Sequence, residues 1–235
     1  MIKKRNCNPK VSVIVATYNQ QQFIGRCLRS LLHQTVPHSD YEIIVVNDGS
    51  VDLTGYALEL FCDPSESVVQ VITNESNQGL PASINKALRV AKAPYVVRVD
   101  SDDFVNTNFL NFLCNYLDFN NYADAVACDY LLLDDAEREL QRCNCEEEPI
   151  ACGIMFRKEQ LFEIGLYDES FRCNEERDLR VRFEKKYKIH RLEMPLYRYR
   201  RHSNNITNDS EAMEYHHNQL IEKHGEDLVT NKIVK

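Results

Sequence analysis

The first half of the chain alternates short apolar runs with segments whose apolar residues recur every three or four positions. The apolar runs predict strands at residues 11–16, 42–46, 68–73 and 95–99. The segments with helical spacing predict amphipathic helices at residues 23–32, 52–61 and 80–91. Because strands alternate with helices, the pattern predicts a parallel, doubly wound α/β sheet.

The second half of the chain has a less regular pattern. It predicts helices at residues 110–117, 159–164, 178–187 and 211–224. It predicts extended segments at residues 123–133, 155–156 and 189–199. The sequence contains no internal repeat and no convincing linker, so we expect a single domain.

Polar residues follow each of the four predicted strands of the first half. They are Thr17, Tyr18 and Asn19 after the first strand, Asn47 and Asp48 after the second, residues 74–79 after the third, and residues 100–103 after the fourth. In parallel sheets, ligands bind in the crevice beyond the carboxyl ends of the strands. The sequence therefore predicts a binding site at this edge of the sheet.

The last of these clusters contains the carboxylates Asp100, Asp102 and Asp103. Side chains two positions apart on a strand share a face, so Asp100 and Asp102 repel each other unless a cation lies between them. Oxygen ligands favour a hard ion such as Mg²⁺ or Mn²⁺ with a phosphate as co-ligand. The alternative is a solvated acidic turn, and the polar residues at the neighbouring strand ends favour the metal.

Composition excludes some classes of protein. The chain has 235 residues, 43% of them hydrophobic, and a formal net charge of -8. An acidic surface argues against nucleic acid as a partner. No secretory signal and no run of about 20 apolar residues is present, which predicts a cytoplasmic protein. The basic start at Lys3, Lys4 and Arg5 leaves peripheral association with the inner membrane face as an alternative to a solvated segment.

The nine cysteines are scattered, which favours reduced core thiols over disulfides. Cys143, Cys145 and Cys152 are close enough in sequence to suggest a soft-metal site. Their spacing lacks the paired C-x₂-C pattern of zinc sites, so the sequence gives little support to zinc.

Short pieces of sequence, in a fixed order, resemble the family 2 glycosyltransferases, which have the GT-A fold. They are residues 11–19 (VSVIVATYN), 43–50 (IIVVNDGS), 77–79 (NQG), 83–85 (SIN), 98–103 (RVDSDD), 165–171 (GLYDESF), 175–179 (EERDL) and 199–202 (YRRH). Each piece is weak alone, but together they span residues 11–207.

The resemblance implies a single Rossmann-like domain with a mostly parallel central sheet and helices on both faces. The implied boundaries are a basic lead-in at residues 1–10, a glycosyltransferase domain at 11–208, and a C-terminal helix and tail at 209–235. Within the domain, residues 11–103 form the nucleotide-binding half and residues 104–208 the acceptor and catalytic half.

The same resemblance implies a donor site for a UDP-sugar. Ala16, Thr17, Tyr18 and Asp48 would hold the nucleobase and ribose, Asp48 as acceptor for the uracil imide. An alternative role for Asp48 is to cap the next helix. Asp103, which could assist at the metal site, has helix capping as its alternative role. The remaining residues implied at the nucleotide-sugar are Asn77, Asn85, Arg98, Asp100, Ser101 and Arg200. Asp102 and His202 would bind Mn²⁺ or Mg²⁺, which bridges the two phosphates.

The catalytic base is the point at which the chain departs from its relatives. They carry a Glu-Asp pair whose Asp removes a proton from the acceptor hydroxyl, and Glu176 stands at that position, preceded by Glu175. Glutamate is competent as a base but reaches one methylene further. Glu175 and Asp178 are the alternatives, and all three acids also suit the first turn of a helix.

The resemblance therefore implies an inverting, metal-dependent enzyme that moves a hexose or N-acetylhexosamine from a UDP-sugar to a hydroxyl of a glycan or lipid-linked saccharide. Surface polysaccharide biosynthesis is the implied context, and a homodimer or partner chain is one way to complete the acceptor site. The altered base leaves a catalytically degenerate UDP-sugar-binding protein as an alternative. A nucleotidyltransferase is disfavoured because residues 17–22 lack the glycine and basic residues of a triphosphate loop.

Overall fold

A computed structural model of the chain describes residues 8–62, 68–202 and 210–226. The strands are β1 Val11–Thr17, β2 Tyr41–Asn47, β3 Val69–Thr73, β4 Tyr95–Arg98, β5 Phe104–Val105, β6 Ala125–Leu133, β7 Glu139–Cys143, β8 Ile154–Arg157 and β9 Ile189–Arg200. The helices are α1 Ile24–Leu32, α2 Thr54–Glu59, α3 Leu80–Val90, α4 Phe109–Phe119, α5 Lys158–Glu163, α6 Glu175–Phe183 and α7 Ser210–His224.

The strands form one sheet in the order β3-β2-β1-β4-β8-β6-β9-β5, with β7 paired to β6 beside β8. The four strands of the first half are parallel, so their carboxyl ends lie at one edge, as predicted. β8 joins β4 antiparallel, and β6 pairs antiparallel with β8 and parallel with β9. The predicted α/β fold is confirmed.

The core lies on both faces of this sheet. On one face, α1 and α4 pack against the odd-numbered residues of β1, among them Val13 and Val15. On the other face, α3, α5 and α6 pack against Ile14 and the strands beside it. Because both faces are covered, the parallel strands are continuous apolar runs without polar alternation.

Differences from the predicted elements are concentrated in the second half. β7 was not predicted because its first four residues are exposed and three of them are polar. The strand therefore carries no apolar pattern. The helix predicted at residues 178–187 begins instead at Glu175 and ends at Phe183. Its charged sequence gives little apolar spacing from which to infer the bounds.

Some predictions fall outside the described residues. They include the basic lead-in at Lys3, Lys4 and Arg5 and the domain boundary after residue 208. Among the residues that the structure describes, no helix is both long enough and apolar enough to cross a membrane.

The turn after β2 places Gly49 against the loop that precedes α3. Gly49 has φ +73°, and a Cβ there would lie 2.6 Å from the carbonyl carbon of Ser76. Only glycine fits this approach without displacing backbone. The glycine thereby lets the β2 and β3 ends meet, and both ends contribute residues to the edge where ligands are expected.

We expect Gly49→Ala to destabilise the protein more than Gly165→Ala. Both glycines have positive φ, but a Cβ at Gly165 meets nothing within 4 Å. The Gly165 variant isolates the conformational cost of about 1–2 kcal/mol. The clash at Gly49 adds a further cost of about 1–3 kcal/mol, measurable by urea unfolding. Equal losses in the two variants would contradict this account of the turn.

Candidate functional site

A cavity of about 820 Å³ opens at the edge of the sheet where the parallel strands end. It brings together residues that the sequence predicted for donor binding and for catalysis. Those that line it are Ala16, Thr17, Tyr18, Asp48, Asn77, Arg98, Asp100, Ser101, Asp102, Glu175 and Glu176. Residues from both halves of the chain thus share one cavity of a size typical of small-molecule sites.

Four predicted site residues do not line the cavity, namely Asn85, Asp178, Arg200 and His202. The Asn85 amide is used internally, because its Nδ2 donates to the Tyr167 carbonyl at 2.8 Å and its Oδ1 accepts from the Tyr167 N–H at 3.0 Å. Asp178 is fully buried and contacts Arg182 at 2.6 Å and His224 at 2.8 Å. The contacts of Asn85 and Asp178 are those of residues that hold other segments in place.

Arg98, at the end of β4, connects the acidic cluster to the first turn of α6. Its Nε lies 2.6 Å from Oδ1 of Asp100, and its Nη1 lies 2.9 Å from Oε1 of Glu175. The Arg98 and Glu175 side chains are 8% and 5% exposed, so water screens this pair little. Because Glu175 is bound to Arg98, the neighbouring Glu176 is the better placed of the two acids to act as a base.

Glu176 is the second residue of α6 and is partly exposed at the cavity wall. Burial, followed by the charge of Glu175, raises the pKa of Glu176 from 4.5 to about 7. Asn174, the residue before the helix, has φ 61°, and this sharp turn directs the start of α6 into the site. A carboxylate with a pKa near neutrality suits proton abstraction at physiological pH.

The acidic cluster contains an exposed and a buried part. Asp102 lines the cavity, and its Oδ2 lies 3.0 Å from Nε2 of His202. His202 is buried and stacks on Phe23 with ring centroids 4.8 Å apart. Asp102 and His202 thus offer an oxygen and a nitrogen side by side, a donor pair that fits Mn²⁺ better than a soft metal.

Asp103 has a structural role that differs from the predicted helix cap. Its Oδ2 accepts from the Tyr197 hydroxyl at 2.7 Å, and its Oδ1 accepts from the Arg200 N–H at 2.7 Å. Burial and the charges of Asp102 and Asp100 raise the pKa of Asp103 well above its usual value. The Arg200 Nε also donates to the Asp102 carbonyl at 3.0 Å, so residues of β9 hold the acidic turn in place through hydrogen bonds.

Asp100, Asp103 and Cys152 are the one group of three or more such residues in the described part of the chain whose ligand atoms lie within 4.8 Å of one another. Burial raises the pKa of the Cys152 thiol well above its usual value, so the thiolate that would bind a metal is disfavoured. Cys143, Cys145 and Cys152 do not form such a group in the described chain, so the soft-metal alternative is not supported.

Asp48 organises the loop before α3 and does not cap the next helix, α2. Its Oδ1 accepts from Asn74 at 2.6 Å and from the Gln78 N–H at 2.9 Å, while Oδ2 accepts from the Gly79 N–H at 2.9 Å. One lone pair of Oδ2 is left for a ligand. Nearby, the buried Thr17 hydroxyl has no hydrogen-bond partner in the structure, although it lines the cavity. A buried unpaired hydroxyl is unusual and indicates a polar ligand.

Sequence reasoning missed two walls of the cavity. One consists of Arg172, Arg177 and Arg180, and the other of residues 147–151 between β7 and β8. The position of Arg180, four residues after Glu176 and three after Arg177, was a usable signal because residues three or four apart adjoin on a helix. Nothing in the sequence of residues 147–151 indicates that this loop reaches the site.

Comparisons with known proteins identify relatives of this chain. The sequence model described as "Glycosyl transferase family 2" matches residues 12–173. An uncharacterized glycosyltransferase, EpsJ of Bacillus subtilis, is 30% identical over 85% of this chain and 63% of its own length. A poly(ribitol-phosphate) beta-glucosyltransferase of Bacillus spizizenii is 38% identical over 43% of this chain. The chain covers only 16% of that second relative.

Two solved structures have the same fold. S. aureus TarS 1-349 in complex with UDP-GlcNAc superposes with a TM-score of 0.76 at 21% identity, covering 95% of this chain and 71% of the TarS 1-349 chain. The mannosyltransferase PcManGT of Pyrobaculum calidifontis, in complex with GDP-Man and Mn²⁺, superposes with a TM-score of 0.72 at 19% identity. The superposed region covers 92% of this chain and 64% of the PcManGT chain.

We expect Arg98→Met to destabilise the protein by about 3–5 kcal/mol, because it leaves Asp100 and Glu175 without their shared cation. Urea unfolding measures this loss. Arg142→Met is the matched control. Arg142 is 52% exposed, and its partner Asp129 keeps Arg191, so the loss there stays under about 1 kcal/mol. Similar losses in both variants would contradict the assigned role of Arg98.

Proposed function

The chain belongs to glycosyltransferase family 2, and on this basis we propose that it transfers a hexose or N-acetylhexosamine from a UDP-sugar to an acceptor hydroxyl. The observation that carries the proposal is that Glu176, with its pKa raised to about 7, lines the same cavity as Asp102. The TarS structures contain UDP and UDP-GlcNAc, which supports UDP as the nucleotide. A relative that acts on poly(ribitol-phosphate) supports a role in surface polysaccharide synthesis.

In this proposal the donor nucleotide lies across the ends of β1 and β2. The Thr17 hydroxyl, buried without a partner, gains one from the nucleotide, and Asp48 accepts the uracil imide N–H through the remaining lone pair of Oδ2. Tyr18, at 43% exposure, offers a ring for contact with the base. These three groups form a continuous wall of the cavity.

Asp102 and His202 would hold Mn²⁺ or Mg²⁺ at the diphosphate. A divalent ion there would stabilise the negative charge that develops on the leaving nucleoside diphosphate. Arg200 keeps the Asp102 backbone in position through its 3.0 Å hydrogen bond to the carbonyl. PcManGT, with the same fold, was solved with Mn²⁺, which supports a divalent ion in this arrangement.

Glu176 acts as the general base. Its carboxylate accepts the proton of the acceptor hydroxyl while that oxygen bonds to the anomeric carbon. The bond from the anomeric carbon to the diphosphate oxygen breaks on the opposite face, and the configuration inverts. Glu175 does not compete for this proton, because Arg98 lies 2.9 Å from its Oε1.

We expect UDP to bind the protein in the presence of Mn²⁺ and Thr17→Val to weaken this binding about fivefold, the loss of one neutral hydrogen bond. Isothermal titration calorimetry measures the affinity, and chelation of the metal weakens it in the parent protein. Thr35→Val is the control, because Thr35 hydrogen-bonds Asn108 away from the cavity. Absence of any metal-dependent UDP binding would overturn the proposed donor.

We expect Glu176→Gln to lower sugar transfer by about 10²–10⁴-fold while UDP affinity is unchanged, since only the base is lost. Glu176→Asp retains part of the rate, whereas Glu159→Gln, on the exposed start of α5, leaves it unchanged. In the parent, kcat/KM rises with pH through about 7 as Glu176 loses its proton. Normal turnover by the glutamine variant would refute the base assignment.

The same variant has a signature in folding. Since the pKa of Glu176 is higher in the folded state than its usual 4.5, the folded protein binds this proton more tightly than the unfolded chain. Its contribution to stability is therefore present below about pH 4.5 and is lost as the pH rises to about 7. Urea unfolding from pH 5 to 8 should show this loss in the parent but not in Glu176→Gln.

A further inference from the structure

We propose that the acceptor carries a phosphate, as in a polyol phosphate or sugar phosphate, and that Arg172, Arg177 and Arg180 bind it. This inference rests on the proposed transferase function and specifies the acceptor. The three arginines line the cavity on the same wall as Glu176, where the reacting hydroxyl must lie.

Two of these guanidinium groups are available to a ligand. Neither Arg172 nor Arg177 forms an ion pair or a side-chain hydrogen bond within the described part of the chain. Arg177 acts on Glu176 only through charge, lowering its pKa slightly against the larger effect of burial. Arg180 pairs with Glu184, the residue after α6, at 3.3 Å with side chains 22% and 23% exposed, so its charge is partly compensated and it adds to the other two guanidinium groups. Planar guanidinium groups suit phosphate oxygens.

The other charges of the cavity do not cancel this wall. Arg98 is shared by Asp100 and Glu175, and Asp48 accepts hydrogen bonds from Asn74, Gln78 and Gly79. Glu147 and Glu148 also line the cavity, on the loop whose residues Ile150 and Ala151 adjoin Glu176 and Arg180. These carboxylates repel an anion, so the favourable place for a phosphate is beside the unpaired guanidinium groups of Arg172 and Arg177.

The spacing of the side chains limits where the phosphate lies on the acceptor. Glu176 and Arg180 are one helical turn apart on the same face of α6, about 6 Å along its axis. The phosphate and the reacting hydroxyl must therefore belong to the same or adjacent units of the acceptor. A diphosphate separated from the hydroxyl by a long saccharide does not meet this condition.

The arginines are distinct from the groups assigned to the donor diphosphate. Asp102 and His202 contact each other at 3.0 Å and follow β4 and β9 in the chain. Arg177 and Arg180 follow Glu175 on α6, and Arg172 precedes it. The cavity thus has two regions suited to phosphate, one through a metal and one through guanidinium groups.

The test compares ribitol 5-phosphate with ribitol as ligands of the full chain, titrated by NMR with and without UDP and Mn²⁺. We expect the parent to prefer the phosphate by at least about tenfold, and Arg172→Gln and Arg177→Gln each to lose about tenfold in that affinity. Arg29→Gln is the matched control, because Arg29 is exposed on α1 outside the cavity. UDP affinity should be unchanged in all three variants.

Equal binding of ribitol and its phosphate, or a preference that survives in the double arginine variant, would overturn the proposal. A loss of UDP affinity in the Arg172 and Arg177 variants would also overturn the proposal, because the arginines would then bind the donor and not the acceptor. Sedimentation with phosphatidylglycerol but not phosphatidylcholine vesicles, lost in the variants without any binding of soluble phosphate, would assign them to a lipid surface instead. Failure of the parent to bind UDP would refute the proposed donor, and this arm is read independently of the phosphate preference.

Discussion

The ion pairs of Arg98 join the two halves of the site. Asp100 ends the nucleotide-binding half, and Glu175 begins the helix that carries the candidate base. Without a shared cation, the buried carboxylate of Glu175 and the partly buried carboxylate of Asp100 would repel each other and move apart. Because β4 lies inside the sheet with β1 and β8 on its two sides, Arg98 projects from a rigid strand. The position of α6 relative to the acidic turn therefore depends on one buried side chain.

The acidic turn has a second support in β9. The Tyr197 hydroxyl accepts the Asp100 N–H at 3.0 Å and donates to Asp103, while Arg200 binds both Asp103 and the Asp102 carbonyl. Both carboxylate oxygens of the buried Asp103 are thus paired, as low dielectric surroundings require. The same strand leads directly to His202, so the segment that holds the turn also supplies the histidine beside Asp102.

The sequence allowed the first half of the fold to be predicted well, because buried parallel strands and amphipathic helices have clear patterns. The convergence of Thr17, Asp48 and Asp102 on one cavity followed from strand ends alone. The ion pair of Arg98 with Glu175 could not be predicted, because the two residues are 77 positions apart and no local pattern relates them. β7 and the loop after it were also missed, because exposed polar residues record little about the contacts that a loop makes.

The two glutamates at the start of α6 have the same chemistry but different surroundings, and this difference suggests their division of roles. Glu175 is ion-paired with Arg98, whereas Glu176 has no ion pair in the described residues, and its burial followed by the charge of Glu175 raises its pKa to about 7. Adjacent acids with diverging environments are a recurrent way to obtain one base at neutral pH. The Arg98–Glu175 ion pair therefore has a second effect. It holds the negative charge of Glu175 next to Glu176, and that charge helps to raise the pKa of Glu176.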